Sequence, residues 1–253
     1  MKAIVLAAGF GTRLAHLTQN LPKPMLPVQG RPLLEYILRN LAWHGCRHVS
    51  LNLHYLPELI RGHFGDGSWM GLDICYSYEP ELLGTGGGAR QMAALLPGDG
   101  PLLIHYGDVL TDQDLTALCS FHRQHGGPAT MLVHRRPGSN SCVGFADDGR
   151  VSQFLERPTP EERRRFDSPW VNSGICILER DALARLPAGG ATDLARDLFP
   201  QLVADGGLFA YPLSSYRCAV DSPERLSEAR VAVATGRCRL PWQTGEEHVK
   251  PAA

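Results

Sequence analysis

Residues 9–13 read Gly-Phe-Gly-Thr-Arg and follow directly on the apolar run Ala3–Ala8; Lys23 stands further on, between Pro22 and Pro24. A glycine-rich turn at a strand exit can aim several backbone N–H groups at one anion. Arg13 adds a planar fork suited to phosphate oxygens, and Lys23 adds a point charge. The flanking prolines restrict the backbone around Lys23, which lowers the entropic cost of holding it in place. Taken alone, GxG reads equally as an ordinary strand-exit turn; the two cations turn it toward a polyphosphate. A dinucleotide site would need GxGxxG running straight into a helix, with an acidic residue ~20 positions on. Here the third glycine is missing and prolines interrupt the next stretch. The GxxxxGK[ST] phosphate loop is absent too.

Asp108 ends the apolar run Leu-Leu-Ile-His-Tyr-Gly-Asp, where open α/β sheets place their ligands, and Gly107 allows close backbone approach. Asp112 and Asp114 form a DxD, but in the first turn of an expected helix acids simply favour the helix dipole. Glu79–Gly88 contains Gly-Thr-Gly-Gly-Gly ahead of an expected helix. Glycine backbone there would let a flat base or ribose lie against the main chain, with free N–H groups at the helix start.

These groups need a scaffold, and the hydrophobic pattern supplies one. Ala3–Ala8 reads as a buried strand, Gly9–Gly30 as a long loop, and Pro32 opens a helix with Leu34, Ile37, Leu38 and Leu41 on one face. A strand over His48–His54, a helix over Pro57–Phe64, a strand over Leu72–Tyr78, a helix over Gly86–Leu96 and a strand over Pro101–Tyr106 continue the alternation. A helix over Thr111–His125, capped by Thr111, completes it. Alternation of this kind implies parallel βαβ units. Further on come a strand at Thr130–His134, a hairpin over Ser141–Phe154 turning at Asp147–Gly149, and a strand at Val171–Leu178. A helix over Thr192–Ala204, strands at Leu208–Leu213 and Arg217–Val220, and a helix over Pro223–Ala234 follow. One domain over residues 1–238 is expected, with a loose polar tail over 239–253.

The chain has 253 residues, 43% hydrophobic and 20% charged, with a formal net charge of −1. That balance offers no global attraction to nucleic acid or anionic membrane. Seven widely spaced cysteines without a CxxC pair argue against a disulfide framework and a structural zinc site. The short apolar start lacks a signal-peptide pattern and cannot span a bilayer, so a cytoplasmic protein is expected.

The segment LAAGFGTRLAHLTQNLPKPMLPVQGRPLLEY, Leu6–Tyr36, closely resembles the opening signature of the sugar-phosphate nucleotidyltransferases (NDP-sugar pyrophosphorylases), GxGTRLxPxTxxxPKPM. His16 stands where that family has a proline, a change expected to alter loop stiffness and not chemistry. The resemblance runs from residue 2 to about 234. It implies an α/β fold of three layers, Rossmann-like and glycosyltransferase-A-like, with a mixed, mostly parallel sheet. It implies attack of a sugar 1-phosphate oxygen on the α-phosphorus of a nucleoside triphosphate, releasing pyrophosphate, with Mg²⁺ as cofactor. Arg13, Lys23 and Asp108 would be catalytic. Asp108 and Asp221 would hold the metal, Asp221 because YRCAVDSPERL resembles the family's late strand–Asp–helix segment. Leu6, Ala8, Gly9, Gly11, Thr12, Arg13, Lys23, Glu79, Gly84, Thr85 and Gly86 would bind the nucleotide. Gly144, Glu156, Arg157 and Asn172 would bind the sugar phosphate, through segments similar to the family's EKP and NxG motifs. Arg157 replaces the family's lysine and retains its charge.

The LGTGG segment and short length look most like guanylyltransferases of heptose 1-phosphate and related sugars. Uridylyltransferases of amino-sugar 1-phosphates and thymidylyltransferases of glucose 1-phosphate are also similar. A catalytically silent sugar-nucleotide binder is the alternative class; retention of Arg13, Lys23 and Asp108 argues against it. A glycosyltransferase of similar fold would not need the triphosphate grip. No hexapeptide-repeat segment follows, so a single-domain enzyme is expected, with self-association left open.

Overall fold

The computed structural model describes residues 1–9, 11–14 and 16–244. The first half alternates strand and helix. It runs β1 (Lys2–Leu6), a small hairpin of β2 (Pro27–Val28) and β3 (Arg31–Pro32), α1 (Leu33–Trp43), β4 (His48–Leu53), α2 (Pro57–Phe64), β5 (Asp73–Tyr78), α3 (Gly84–Ala93) and β6 (Leu102–Tyr106). Then come β7 (Val109–Thr111), α4 (Leu115–His125), β8 (Ala129–Arg135), the antiparallel pair β9 (Ser141–Phe145) and β10 (Val151–Glu156), α5 (Pro160–Arg165), β11 (Trp170–Leu178) and α6 (Arg180–Leu183). The chain closes with a wide turn at Leu194–Leu198, α7 (Phe199–Ala204), β12 (Leu208–Pro212), β13 (Arg217–Ala219), α8 (Pro223–Ala234) and α9 (Pro241–Thr244).

Seven strands form the central sheet in the order β12-β8-β11-β6-β1-β4-β5. Only β11 runs against its neighbours; the other pairings are parallel. The sheet lies between two apolar clusters. One gathers Leu34, Ile37, Leu38 and Leu41 of α1 with Ile60 and Phe64 of α2, and the other gathers Ala89 and Met92 of α3 with Leu198, Phe199 and Leu202. This is the expected three-layer α/β architecture. Because both faces are covered, the polar face of β4 is also buried: Ser50 and Asn52 are enclosed.

A third apolar cluster positions the site. Leu14, Leu26 and Val28 of the glycine-rich segment pack with Leu33 and Tyr36, with Leu110 of β7, with Cys218 and Val220 around β13, and with Leu226 and Ala229 of α8. It clamps the loop after β1 onto the strand pair that carries the carboxylates.

Several expectations shift. The expected loop 9–30 contains short helical turns at Thr12–Leu14 and Lys23–Met25, then half of the β2–β3 hairpin. The helix expected from Thr111 begins at Leu115 and is capped by Asp114, which accepts the Ala117 N–H. Val109–Thr111 is drawn into pairing with β13 instead, and Thr111 donates its hydroxyl to the Tyr216 carbonyl. The helix expected from Thr192 starts as the wide turn capped by Asp193. The tail expected to be loose begins packed, with Leu240 buried and Trp242 against Tyr36 at 5.8 Å; residues 245–253 lie outside the described residues. Helix α5 escaped the periodicity reading, although Thr159 and Glu162 form a capping box with Pro160 at the first position.

Candidate active site

Strand β1 sits between β4 on one side and β6 on the other, so the connections run opposite ways from it. A crevice opens at such a reversal, beyond the C-terminal strand ends. Its floor is tight: Gly107 donates to the Leu6 carbonyl at 2.9 Å, and a Cβ on Gly107 would stand 2.8 Å from that same oxygen. The requirement for glycine there comes from backbone meeting backbone.

The crevice holds a cavity of about 270 Å³, lined by Leu6, Ala7, Ala8, Gly9, Gly11, Lys23, Pro24, Asn52, Glu79, Leu82, Gly84, Thr85, Tyr106, Gly107 and Asp108. A second cavity of about 250 Å³ shares Gly11, Lys23 and Asp108 with it and adds Arg13, Leu14 and Asp221. One is mostly apolar and suits a flat base; the other is ringed by charge and suits phosphates.

Two ion pairs organise the charged part. Lys23 Nζ lies 2.5 Å from Asp108 Oδ2, and Arg13 Nη1 lies 2.9 Å from Asp221 Oδ2. The Lys23 side chain is 12% exposed, the Arg13 side chain 65%. Gly11 takes a positive φ of 65°, and a Cβ there would press on Lys23 Cβ at 3.0 Å, so glycine is needed twice over. The two carboxylates adjoin because the Val220 N–H donates to the Asp108 carbonyl at 2.8 Å. Arg217, packed near Asp108, donates to the Ser173 carbonyl at 3.0 Å; burial lowers its pKa to about 10, against the pull of Asp108, so it stays charged at neutral pH.

The apolar part is buttressed by a buried clamp. Asn52 Oδ1 accepts the Ala7 N–H at 2.6 Å, Asn52 Nδ2 donates to Glu79 Oε1 at 2.8 Å, and Glu79 Oε2 accepts the Leu83 N–H at 3.0 Å. Glu79 thereby joins the exits of β1 and β4 to the start of α3. A Cβ on Gly88 would lie 2.7 Å from Glu79 Oε1, which explains one of the clustered glycines. Two of the N–H groups at the helix start are not open to a ligand. Gly84–Gly88 are inside α3, and the Gly86 and Gly87 N–H groups donate to the Thr192 carbonyl at 2.8 and 3.4 Å.

Of the expected nucleotide residues, Leu6, Ala8, Gly9, Gly11, Lys23, Glu79, Gly84 and Thr85 line the first cavity and Arg13 the second; of the expected metal residues, Asp108 lines both cavities and Asp221 the second. Thr12 contributes backbone to the turn after Gly11, and Gly86 is packed behind the cavity wall. The expected sugar-side residues stand apart from both cavities. Gly144 in β9 would clash with Phe166 if it carried a Cβ, at 2.8 Å. Asn172 accepts the Gly174 N–H at 2.9 Å and kinks β11. Arg157 has a left-handed backbone with φ of 52° and an outward side chain 3.8 Å from Glu156. Burial, then Asp193, pushes the Glu156 carboxyl up from its ordinary value. Ala7, Asn52, Leu82 and Tyr106 went unread in the sequence as lining residues, and Pro24 was read only for its hold on Lys23. Asn52 alone left a signal there, as a polar residue in an apolar strand. Burial raises the Tyr106 hydroxyl well above the usual phenol range.

Comparison with known proteins shows the family. The chain is 38% identical to a mannose-1-phosphate guanylyltransferase of Mycobacterium tuberculosis, over 88% of this chain and 61% of that one. It is 36% identical to a UTP–glucose-1-phosphate uridylyltransferase of Synechocystis, over 85% and 58%. It therefore spans about three-fifths of the length of these relatives. Among solved structures, a putative glucose-1-phosphate thymidylyltransferase of Bacillus anthracis superposes with a TM-score of 0.80 at 16% identity, covering 91% of this chain and 94% of that one. HddC of Yersinia pseudotuberculosis, complexed with GMP-PN, superposes at 0.72 and 20% identity, covering 92% and 99%. Residues 2–217 match the family model described as nucleotidyl transferase, and the chain belongs to that family.

Proposed function

We propose that the protein transfers a nucleotidyl group from a nucleoside triphosphate, GTP by preference, to a hexose or heptose-like 1-phosphate. A sugar-phosphate oxygen forms a bond to the α-phosphorus, the bond from that phosphorus to the bridging oxygen breaks, and pyrophosphate leaves. The observation that carries this reading is the pair of adjoining cavities, one apolar and one lined by Lys23–Asp108 and Arg13–Asp221. The guanylyl preference is supported by the likeness to guanylyltransferases; the 36% identical uridylyltransferase keeps UTP as the second reading.

In this reading the base and ribose lie on the backbone of Leu6–Gly9 and against Leu82 and Pro24. The triphosphate passes over Gly11 to Lys23 and Arg13, which release their carboxylates and take up phosphate oxygens. No covalent intermediate is required, so the protein's work is positioning and charge neutralisation. Asp108 and Asp221 would hold Mg²⁺. Among the described residues no three His, Cys, Asp or Glu side chains converge on a ready-made metal cage. Two carboxylates on one cleft still suit this ion, which commonly takes one or two of them and completes its shell with water and substrate phosphates. When bound, it would supply the positive charge that lets two anionic substrates approach. Glu156, Arg157, Asn172 and Gly144 would meet the sugar phosphate at the neighbouring edge.

The test is pyrophosphate release with Mg²⁺, crossing GTP, UTP, dTTP, ATP and CTP against hexose, amino-sugar and heptose 1-phosphates. Release confined to GTP with one sugar phosphate supports the proposal. Release with UTP or dTTP moves the base assignment. No release from any pair, with triphosphate binding intact by calorimetry, would favour a silent binder.

A further inference from the structure

Residues 192–194 fasten the start of α3 from 108 positions away in sequence. The Thr192 N–H donates to the Leu83 carbonyl at 2.9 Å, and the Thr192 carbonyl accepts the Gly86 N–H at 2.8 Å. The Thr85 hydroxyl donates to Asp193 Oδ2 at 2.9 Å and accepts the Leu194 N–H at 2.8 Å. A Cβ on Gly84 would stand 2.3 Å from the Thr192 carbonyl oxygen, so the two segments touch backbone to backbone. The other Asp193 oxygen accepts the Ala195 and Arg196 N–H groups at 2.9 and 3.2 Å. Both Thr85 and Tyr106 line the nucleotide cavity. Asp193 stands behind that wall, and its charge also bears on Glu156, together with those of Arg157 and Arg196.

We propose that Asp193 is a positioning residue for both substrates: through Thr85 it fixes the wall of the nucleotide cavity, and its charge, held at that wall, acts on Glu156 on the sugar side. The proposal rests on the nucleotidyl-transfer reading above. A carboxylate here does two things that an amide would separate. Asparagine can still cap the Leu194–Leu198 turn and meet the Thr85 hydroxyl, but it carries no charge toward Glu156.

The experiment compares the parent with Asp193→Asn, Thr85→Val and Thr85→Ser. Asp193→Asn should keep its melting temperature, because the cap survives. The acid limb of kcat/KM for the sugar phosphate should move to lower pH by about half a unit or more, since a like charge near Glu156 is gone. Thr85→Val should raise KM for the nucleotide about tenfold by deleting the hydroxyl's hydrogen bonds to Asp193 and Leu194, and Thr85→Ser should restore it. An active parent whose Asp193→Asn variant keeps the same acid limb would overturn the proposal, as would a Thr85→Val variant with an unchanged nucleotide KM. If the parent releases pyrophosphate from no pair, the functional reading fails on its own. Carboxyl ¹³C titration of Glu156 in the free protein then still decides: a lower midpoint in Asp193→Asn supports the coupling, and an unmoved midpoint ends it.

Discussion

At the scale of single residues, the site is a set of opposite charges held together before any substrate arrives. Lys23 and Asp108 are paired at 2.5 Å and partly shielded from water, so each holds the other's side chain in position. Asp108→Asn leaves the side-chain shape and removes the charge. Turnover should fall by roughly 10²–10³-fold or more with the far-UV circular dichroism unchanged; normal activity would remove Asp108 from the chemistry. Arg157 is placed differently, outward and beside Glu156. Arg157→Ala should raise KM for the sugar phosphate more than for the nucleotide, and equal effects on both would place it elsewhere.

At the scale of elements, the glycines of α3 present a conflict that magnitudes resolve. Glycine inside a helix is worse than alanine by about 1 kcal/mol, so Gly→Ala should stabilise an unobstructed site. Gly62 in α2 is such a site, with nothing within 4 Å of an added Cβ. Gly62→Ala should therefore raise stability by about 0.5–1 kcal/mol in chemical denaturation. At Gly88 the added atom would meet Glu79 Oε1 at 2.7 Å and Asn52 Nδ2 at 2.9 Å. Displacing that buried clamp costs about 1–3 kcal/mol, more than the helix gains. Gly88→Ala should be destabilising and should weaken nucleotide binding; a gain in stability at both positions would show that the clamp yields freely.

At the scale of the whole molecule, the sheet buries titratable groups at its centre. His105 in β6 donates from Nδ1 to the Tyr106 carbonyl at 2.8 Å, and burial lowers its pKa to about 4, against the pull of Asp108. The unfolded chain would protonate it near ~6.5. Between those values the unfolded state holds a proton that the folded state refuses. Stability is thus full above pH ~6.5 and declines as the pH falls toward 4, by about 1.4 kcal/mol per pH unit from this group. His125 and His134, lowered by burial to about 4 and about 3, act in the same direction. Melting temperatures measured from pH 7 to pH 4 should fall, and His105→Gln should show a shallower decline. An unchanged slope would assign the lost stability to other groups.

Much of the candidate site is local and was therefore legible. The turn after β1, the proline-flanked Lys23 and the Gly107–Asp108 strand end depend on neighbours a few residues away, and hydrophobic period set most of the elements around them. What failed to show was the pairing of distant segments. Arg13 meets Asp221 across 208 positions, Asn52 meets Glu79 across 27, and Thr85 meets Asp193 across 108. No periodicity encodes such partners; they follow from strand order and from which backbones approach within a hydrogen bond. The same cause explains the corrected readings. Thr111 joined a strand because β13 lay beside it, and the Gly86 and Gly87 N–H groups in the first turn of α3 were taken by Thr192. The sequence by itself determined the charged and glycine-rich groups of the candidate site and the alternation that carries them. Only the tertiary structure decided which of them share a cavity and what holds its walls, because a buried polar group takes its partner from whatever the fold brings within reach.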